Sequence, residues 1–392
     1  MPKKRPYGLP YQGSKAAIAR WVADIILREG VINDYYEPFA GGCAVAHCLL
    51  DRSAIRGRCV LNDLCGLPGV FVKAYNGEIP EKYLKTFITR ERWWAEKEAD
   101  AWVKFAGSFA CKGTSYMYGR PVEKYREAAF YALVDDRWDE FNTLCPEVGE
   151  ACKDALTGIN DVTARRIEMA RVMTEILTKL AGNNWSADVI QSNPLYKTVL
   201  KKDRHGSGAC DKSKSPDTQI YYIERLTGIN GNNGGEKQLE RVERLTGING
   251  NHGIESYAER VERLGFSGRF RVEQLERNER LTGIKAPIRT PVESVRGDYR
   301  SLEIPSGAVV YCDPPYNSTT GYTEAGGFNF DEFIDWACKL ATRCRVYVSE
   351  YNIPDDRFEI IGERTRQSNG GGVGSYRGAV TERLYRVHGG AL

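Results

Sequence analysis

A buried strand that ends in a charge and two prolines constrains this chain more than any other feature. Residues 307–312, GAVVYC, are small, β-branched or apolar, and they predict a strand in the core of a sheet. Asp313, Pro314, Pro315 and Tyr316 follow directly. Because proline cannot continue a hydrogen-bonded ladder, the chain must turn here. A solvated aspartate in an ordinary turn would explain an isolated Asp-Pro, so the rest of the chain decides whether this turn is a site.

Helix and strand patterns alternate in the first 65 residues. Residues 15–29 have helical spacing, and residues 35–39 and 58–61 have strand patterns. A glycine turn and a helical pattern over residues 43–50 lie between the two strands. Strand, turn, helix and strand make one βαβ unit.

The last hundred residues return to this alternation. Asn329 and Glu332 resemble a helix capping box, and strand patterns follow over residues 345–349, 358–361 and 384–387. The fold class predicted from the two ends is α/β, with a Rossmann-like, largely parallel sheet and helices on both faces.

Residues 66–296 interrupt that alternation and predict an inserted domain within a discontinuous domain of residues 1–65 and 297–392. The first part of the insert is helical and aromatic. A block at about 220–286 then repeats the hexapeptide ERLTGI or a variant of it, starting at residues 224, 243, 262 and 279. Leu and Ile keep fixed offsets, which favours stacked units, whereas the Gly and Asn content would suit a low-complexity insert.

Composition narrows the cellular context. The net charge is only +3, so a nucleic-acid surface would need local clustering of basic residues. The eleven cysteines include no Cys-x-x-Cys pair and the four histidines are scattered, so no zinc signature is present and we expect no metal. A dispersed, odd set of cysteines is typical of reduced thiols. With no apolar segment behind the start MPKKRP and no run long enough to span a membrane, we expect a cytoplasmic protein.

Four short motifs lie in the two flanking segments: YQGSK at residues 11–15, EPFAGG at 37–42, Asp63 at the end of a strand, and DPPY at 313–316. Glycines after a strand let a ligand approach the backbone at a helix N-terminus. An acidic residue about twenty residues further on can bind ribose hydroxyls. A tight turn and a helix cap are the ordinary explanations of these two features. Neither GxxxxGK[ST] nor GxGxxG occurs at the turn, which excludes phosphate-loop and dehydrogenase sites.

The order YxGSK, FxGG, long insert, DPPY resembles that of the class α N6-adenine DNA methyltransferases, the Dam-like D12 group. The resemblance covers the two flanking segments, including VYVSEYN and GSYRGAVTERLYRV, and leaves out the repeat block. It implies a catalytic methyltransferase domain, a target-recognition insert and the cofactor S-adenosylmethionine. The residues implied at the cofactor are Tyr11 and Lys15 closing over it, Phe39 and Gly41 lining it, Asp63 at the ribose, Asp298 and Tyr299 near the adenine, and Asp313.

The same resemblance makes Asp313, Pro314 and Tyr316 the catalytic residues. The adenine amino nitrogen is a weak nucleophile because its lone pair is delocalised into the ring. The Asp313 carboxylate and the Pro314 carbonyl can accept hydrogen bonds from that amino group and stabilise the charge that develops on it. The base must leave the duplex, which costs roughly a few kcal/mol. Tyr316 offers a stacking face worth roughly 1–3 kcal/mol.

Double-stranded DNA is the expected partner, and the insert is its expected binding surface. We predict that Lys201, Lys202 and Arg204 contact phosphates. The arginine of each repeat would form a ladder if the units stack, and pairing with neighbouring glutamates is an equal alternative. We expect a monomer. A cognate restriction endonuclease and a bacterial or phage origin are both compatible with this class.

Two other functions are compatible with the motifs. Methylation of cytosine N4 or of an RNA exocyclic amine would use the same pocket chemistry, although Asp313 and the early YxGSK favour adenine in DNA. A repeat-based DNA-binding protein with an inactive methyltransferase shell is disfavoured because all four motifs are intact.

Overall fold

The computed structural model describes residues 6–182, 271–285, 290–315, 328–367 and 379–390. The chain divides into two compact units, Met1–Tyr118 with Glu273–Leu392, and Gly119–Val272. Residues 66–118 and 273–296, which the sequence places in the insert, therefore belong to the unit that contains the sheet. Recognition of DNA by the insert stays a prediction.

The first unit is built on a seven-stranded sheet. Its strands are β1 Tyr35–Glu37, β2 Cys59–Asn62, β3 Val292–Val295, β4 Val309–Cys312, β5 Arg345–Glu350, β6 Phe358–Gln367 and β7 Ala379–Val387. Their order is β3-β2-β1-β4-β5-β7-β6. The first five strands pair in parallel, whereas β7 pairs antiparallel with β5 and β6. The predicted α/β class and largely parallel sheet are confirmed.

Helices connect these strands and form the second unit. In chain order they are α1 Ala19–Arg28, α2 Ala44–Asp51, α3 Leu67–Asn76, α4 Glu81–Lys85, α5 Arg90–Glu96, α6 Ala101–Ala106, α7 Arg120–Asp135, α8 Asp139–Leu144, α9 Gly149–Leu156, α10 Val162–Gly182, α11 Glu273–Thr282 and α12 Phe330–Ala341.

The central strands of the sheet are fully buried. β1, β2 and β4 are buried along their whole length, as parallel strands covered on both faces must be. Tyr36 of β1 pairs in register with Val60 on one side and Val310 on the other. β1 ends at Glu37, earlier than predicted, because Pro38 has no N–H to donate to the ladder.

The predicted helices on either side of the site are present. The helix predicted over residues 15–29 begins as a 3-10 turn, Lys15–Ala17, in which the Ser14 hydroxyl accepts from the Ala16 N–H at 3.3 Å, and continues as α1. Asn329 caps α12, as predicted. Its Oδ1 accepts from the Asp331 and Glu332 N–H groups at 3.0 and 3.2 Å, and its Nδ2 donates to Glu332 Oε1 at 3.2 Å.

The C-terminal hairpin is longer than its apolar pattern predicts. β6 and β7 include the predicted strands 358–361 and 384–387 but extend beyond both. Most of the additional residues are polar, and the main-chain pairing of the two strands continues through them. The hydroxyls of Thr365 and Thr381 lie 3.0 Å apart across this part of the hairpin. The glycine-rich segment between the strands, residues 368–378, lies outside the described residues.

The second unit contains the helices α7 to α10. α7 buries Phe130 and Leu133, α9 buries Cys152, and α10 buries Met169 and Met173. Apolar side chains spaced three to four residues apart on these helices account for the packing.

Most of the repeat block lies outside the described residues, and so does its predicted stacking. The described exception is the fourth repeat, residues 279–284, most of which belongs to α11. Leu281 and Ile284 are buried. Arg280 follows neither expected pattern, because its Nη2 donates to the main-chain carbonyls of Tyr7 and Gly8.

Three further observations concern the described part of the chain. Its ten cysteines are all buried, as expected for thiols in the core. Its residues include no group of three or more His, Cys, Asp or Glu side chains that could hold a metal ion. None of its helices is long and apolar enough to cross a membrane.

Candidate active site

The predicted motifs converge on one edge of the sheet. β1, β2 and β4 are parallel neighbours, so the turns after Glu37, Asn62 and Cys312 all lie at the carboxyl ends of the strands. The strand order reverses between β1 and β4, and ligands of open α/β sheets bind in the crevice outside such a point.

The EPFAGG motif forms the turn between β1 and α2. Gly41 has a φ of +46°, and a Cβ atom there would lie 2.9 Å from the Tyr11 ring. A Cβ atom on Gly42 would lie 2.5 Å from the Leu9 carbonyl oxygen. Because residues 9–11 approach the turn this closely, both positions require glycine. Tyr11 therefore lies against Gly41, and its ring also meets that of Phe105, with centroids 5.4 Å apart.

Asp63 stabilises the same turn from the neighbouring strand. One carboxylate oxygen accepts from the Gly41 N–H and the other from the Cys65 N–H, both at 2.8 Å. Each carboxylate oxygen can accept more than one hydrogen bond, so these contacts are compatible with a further donor such as a hydroxyl. The position at the strand end agrees with the prediction, whereas the binding of ribose stays a prediction.

Lys15 joins the first motif to the last. Its Nζ lies 2.8 Å from Asp313 Oδ1 and 3.0 Å from Glu382 Oε1. Burial favours the neutral amine, but the two carboxylates outweigh that effect and raise the pKa of Lys15. The side chains are 10%, 18% and 2% exposed in the order Lys15, Asp313, Glu382. The cation that was predicted to close over a cofactor therefore also sets the charge balance at the DPPY turn.

Glu382 is the residue that the sequence prediction missed. It lies on β7, two residues before the buried Leu384 and thus on the same face of the strand. An acidic residue on an apolar face requires a buried partner, because a desolvated charge is costly unless it is paired. That alternation was the available signal, and only the fold identifies the partner as Lys15.

Glu37 adds a second buried carboxyl group. Its Oε2 accepts from the Ala46 N–H of α2 at 3.1 Å and from the Tyr35 hydroxyl at 3.3 Å. Burial raises the pKa of Glu37 well above its usual range, and the negative charges of Asp313 and Asp63 raise it further. A carboxyl group with a raised pKa near two other acidic groups is frequent in functional sites.

An aromatic cluster borders the glycine turn. The Phe39 ring lies 4.9 Å from that of Tyr299 and 5.6 Å from that of Phe333, measured between centroids. Asp298 caps the short helix that begins at Tyr299, and its ion pair with Arg300 lowers the pKa of Asp298. The predicted adenine-proximal pair therefore lies beside Phe39.

Some predicted residues cannot be placed at the site. Asp313 and the buried Pro314 directly follow β4, but Tyr316 lies outside the described residues. Lys201, Lys202 and Arg204 also lie outside them, so their contact with phosphates stays a prediction.

Comparison with known proteins identifies the first motifs. Residues 11–114 match the family model described as D12 class N6 adenine-specific DNA methyltransferase. This match confirms the resemblance for the three motifs that it covers, and the DPPY motif at residues 313–316 lies outside it. No curated protein matches the chain.

Among solved structures, the chain is similar to that of SMU.472, a candidate methyltransferase complexed with SAH. The identity is 12%, the TM-score is 0.19, and the alignment covers 36% of this chain. It covers 39% of the other chain, so this protein spans well under half of that length. A likeness of this size supports no argument about the site.

Proposed function

We propose that the protein transfers a methyl group from S-adenosylmethionine to the N6 amino group of an adenine flipped out of duplex DNA. The ion pair between Lys15 and Asp313 is the observation that supports this most strongly. Lys15 lies inside the segment that matches the D12 model, and Asp313 lies about two hundred residues beyond it. The fold thus joins the matched segment to the motif that the proposed chemistry requires.

The residues at this edge of the sheet suit S-adenosylmethionine. Gly41 and Gly42 leave the turn without side chains, Asp63 has spare acceptor capacity, and Phe39 and Tyr299 offer aromatic surface. When bound, the cofactor would supply an electrophilic methyl group. Tyr11, which lies on Gly41, would cover it from the side of the N-terminal segment.

Asp313 and Pro314 would act on the target base. The Asp313 carboxylate would accept a hydrogen bond from the adenine amino group, and the Pro314 carbonyl would accept the other. Such acceptors stabilise the positive charge that develops on nitrogen during transfer, an electrostatic effect worth about 10²–10³ in rate for a single group. Lys15 would keep Asp313 oriented, and Tyr316 would stack on the base.

The test is direct methylation. The purified protein would be incubated with S-adenosylmethionine and unmethylated duplex DNA or RNA, and the nucleosides would be separated by liquid chromatography with mass detection. N6-methyladenine from DNA supports the proposal. N4-methylcytosine or a methylated RNA base would establish the alternative enzyme, and DNA binding without cofactor binding would establish the inactive shell.

A further inference from the structure

The last repeat contacts the glycine turn through a short N-terminal segment. Arg280, on α11, donates from Nη2 to the carbonyl oxygens of Tyr7 at 3.0 Å and Gly8 at 2.8 Å. Burial lowers the pKa of its guanidinium. A partly buried cation of this kind needs hydrogen-bond acceptors, and the two carbonyls provide them.

Gly8 is held from both sides. Its carbonyl accepts from Arg280, and its N–H donates to Nδ1 of the buried His47 on α2 at 3.0 Å. Tyr7 is fixed as well, since its hydroxyl donates to Asp51 Oδ2 at 2.9 Å and its ring meets that of His47 edge-on. The conformation of residues 7–9, called the strap below, is thus set by side chains of α2 and α11.

The strap rests directly on the turn of the candidate active site. The Leu9 N–H donates to the Gly42 carbonyl at 2.7 Å. Gly8 has a φ of +71°, and a Cβ atom there would lie 2.4 Å from that same carbonyl oxygen. A displacement of the strap would therefore move the Gly42 carbonyl and Tyr11, which follows two residues after Leu9.

Gln274, at the start of α11, binds away from the strap. Gln274 donates to the Thr86 carbonyl at 2.9 Å and accepts from the Ile88 N–H at 2.8 Å. α11 thus has an anchor to the main chain that does not involve the strap.

We propose that Arg280 is a positioning residue for the cofactor site, acting through the strap on the glycine turn and on Tyr11. This rests on the proposed function for the identity of the cofactor. It gives the last repeat unit a role in the catalytic unit, distinct from the predicted contact of the repeats with DNA. Both hydrogen bonds come from Nη2. A lysine ammonium keeps the charge and the donors but has a different shape and reach, so it would replace these contacts only in part.

The test compares three variants of the full chain: Arg280→Ala, Arg280→Lys and the matched control Gln274→Ala. Gln274→Ala also removes two hydrogen bonds between α11 and the main chain, but none to the strap. Calorimetry would measure the affinity for S-adenosylmethionine, and a filter assay the affinity for DNA. Hydrogen exchange would report on the Leu9 N–H, and thermal unfolding on the stability of each variant.

Arg280→Ala should weaken cofactor binding about tenfold and speed exchange at Leu9, with DNA affinity unchanged. Arg280→Lys should recover part of both losses, and Gln274→Ala should lower the melting temperature without changing the cofactor affinity. Equal losses of affinity in Arg280→Ala and Gln274→Ala would overturn the positioning role. If Arg280→Ala does not fold, Arg280→Lys against Gln274→Ala provides the same contrast.

Failure of the proposed function can be distinguished from failure of the positioning role of Arg280. A wild-type protein that does not bind S-adenosylmethionine would contradict that function. Exchange at Leu9 would then decide the role of Arg280: faster exchange in Arg280→Ala than in Gln274→Ala supports the strap, and equal exchange overturns it.

Discussion

The turns after β1 and β4 lie at the same edge of the sheet and are built in opposite ways. The turn after β1 uses the absence of side chains, because Leu9 and Tyr11 approach Gly42 and Gly41 too closely for any Cβ atom. The turn after β4 uses a charged side chain and two prolines, and Lys15 pairs with that charge. One turn depends on shape and the other on charge.

Substitutions at the two turns should therefore have different effects. Changes behind the glycine turn should alter folding and cofactor affinity, because the turn is fixed by packing and main-chain hydrogen bonds. Changes at Asp313 should alter the rate of the chemical step. The residue directly follows β4 and is not part of the buried core to which that strand contributes. Lys15 connects the two regions, since it ends the YQGSK motif that begins with Tyr11 and pairs with Asp313 in space.

The largest effect is expected when the carboxylate of the turn after β4 is removed. Asp313→Ala should lower kcat by about 10³, at the upper end of the range for a single electrostatic group. The variant should still fold, because Lys15 keeps Glu382 as a partner. Single-turnover methylation assays would measure the rate. Asp335→Ala removes a carboxylate that is 79% exposed on α12 and is the matched control. A rate in Asp313→Ala within a few-fold of the wild type would contradict the mechanism.

The next largest effect is expected from His47, which supports the strap behind the glycine turn and whose protonation depends on pH. The pKa of His47 is lowered to about 4, chiefly by burial and to a smaller extent by the positive charge of Arg280, while Asp51 and a hydrogen bond with the Lys285 main chain oppose the shift. The unfolded chain therefore takes up a proton below about pH 6.5, and the folded protein does so only near pH 4. Stability is consequently lost as the pH falls through this window, by about 3 kcal/mol from this group.

His47→Asn tests this assignment. Asparagine can offer an acceptor to the Gly8 N–H but does not titrate, so the variant should lose less stability than the wild type between pH 6.5 and pH 4. Urea unfolding at several pH values would measure the two curves, and their difference isolates His47 from the carboxylates that titrate in the same range. Parallel curves would show that His47 does not contribute.

Sequence patterns predicted the parallel strands β1, β2, β4 and β5 well, because each is a short run that is largely buried and mostly apolar. They located Asp63 and Asp313 for the same reason, since both residues directly follow such a run. They failed for β3, whose Glu293 and Ser294 are exposed, so that main-chain pairing with β2 rather than an apolar pattern makes it a strand. Glu382 and Arg280 escaped assignment because their partners, Lys15 and Gly8, are hundreds of residues away in sequence.

A smaller effect should follow from adding one methyl group to the glycine turn. Gly41→Ala places a Cβ atom 2.9 Å from the Tyr11 ring at a positive φ. We expect cofactor binding to weaken about tenfold as Tyr11 is displaced. Gly77→Ala is the matched control, because Gly77 also has a positive φ, +80°, but nothing lies within 4 Å of the added atom. Backbone strain alone, about 1 kcal/mol, should lower the stability of both variants.

Equal cofactor affinities in Gly41→Ala and Gly77→Ala would show that Tyr11 does not respond to the turn. Calorimetric titration with S-adenosylmethionine would compare them directly. The contrast requires no assumption about the reaction, because only binding is measured.

The smallest effect is expected at the N-terminal cap of α12, where a substitution should lower stability and leave the rate of the reaction unchanged. Asn329 caps α12, whose Phe333 packs against Phe39. Asn329→Ala should lower the free energy of unfolding by about 1 kcal/mol, because two N–H groups of the first turn lose their acceptor. Asn329→Ser retains a capping oxygen and should restore most of the loss. Urea unfolding of both variants would measure this, and kcat should remain at the wild-type value. A fall in kcat that serine does not restore would mean that α12 contributes to the reaction and not only to stability. The comparison between the glycine turn and the charged turn would then have to include this helix.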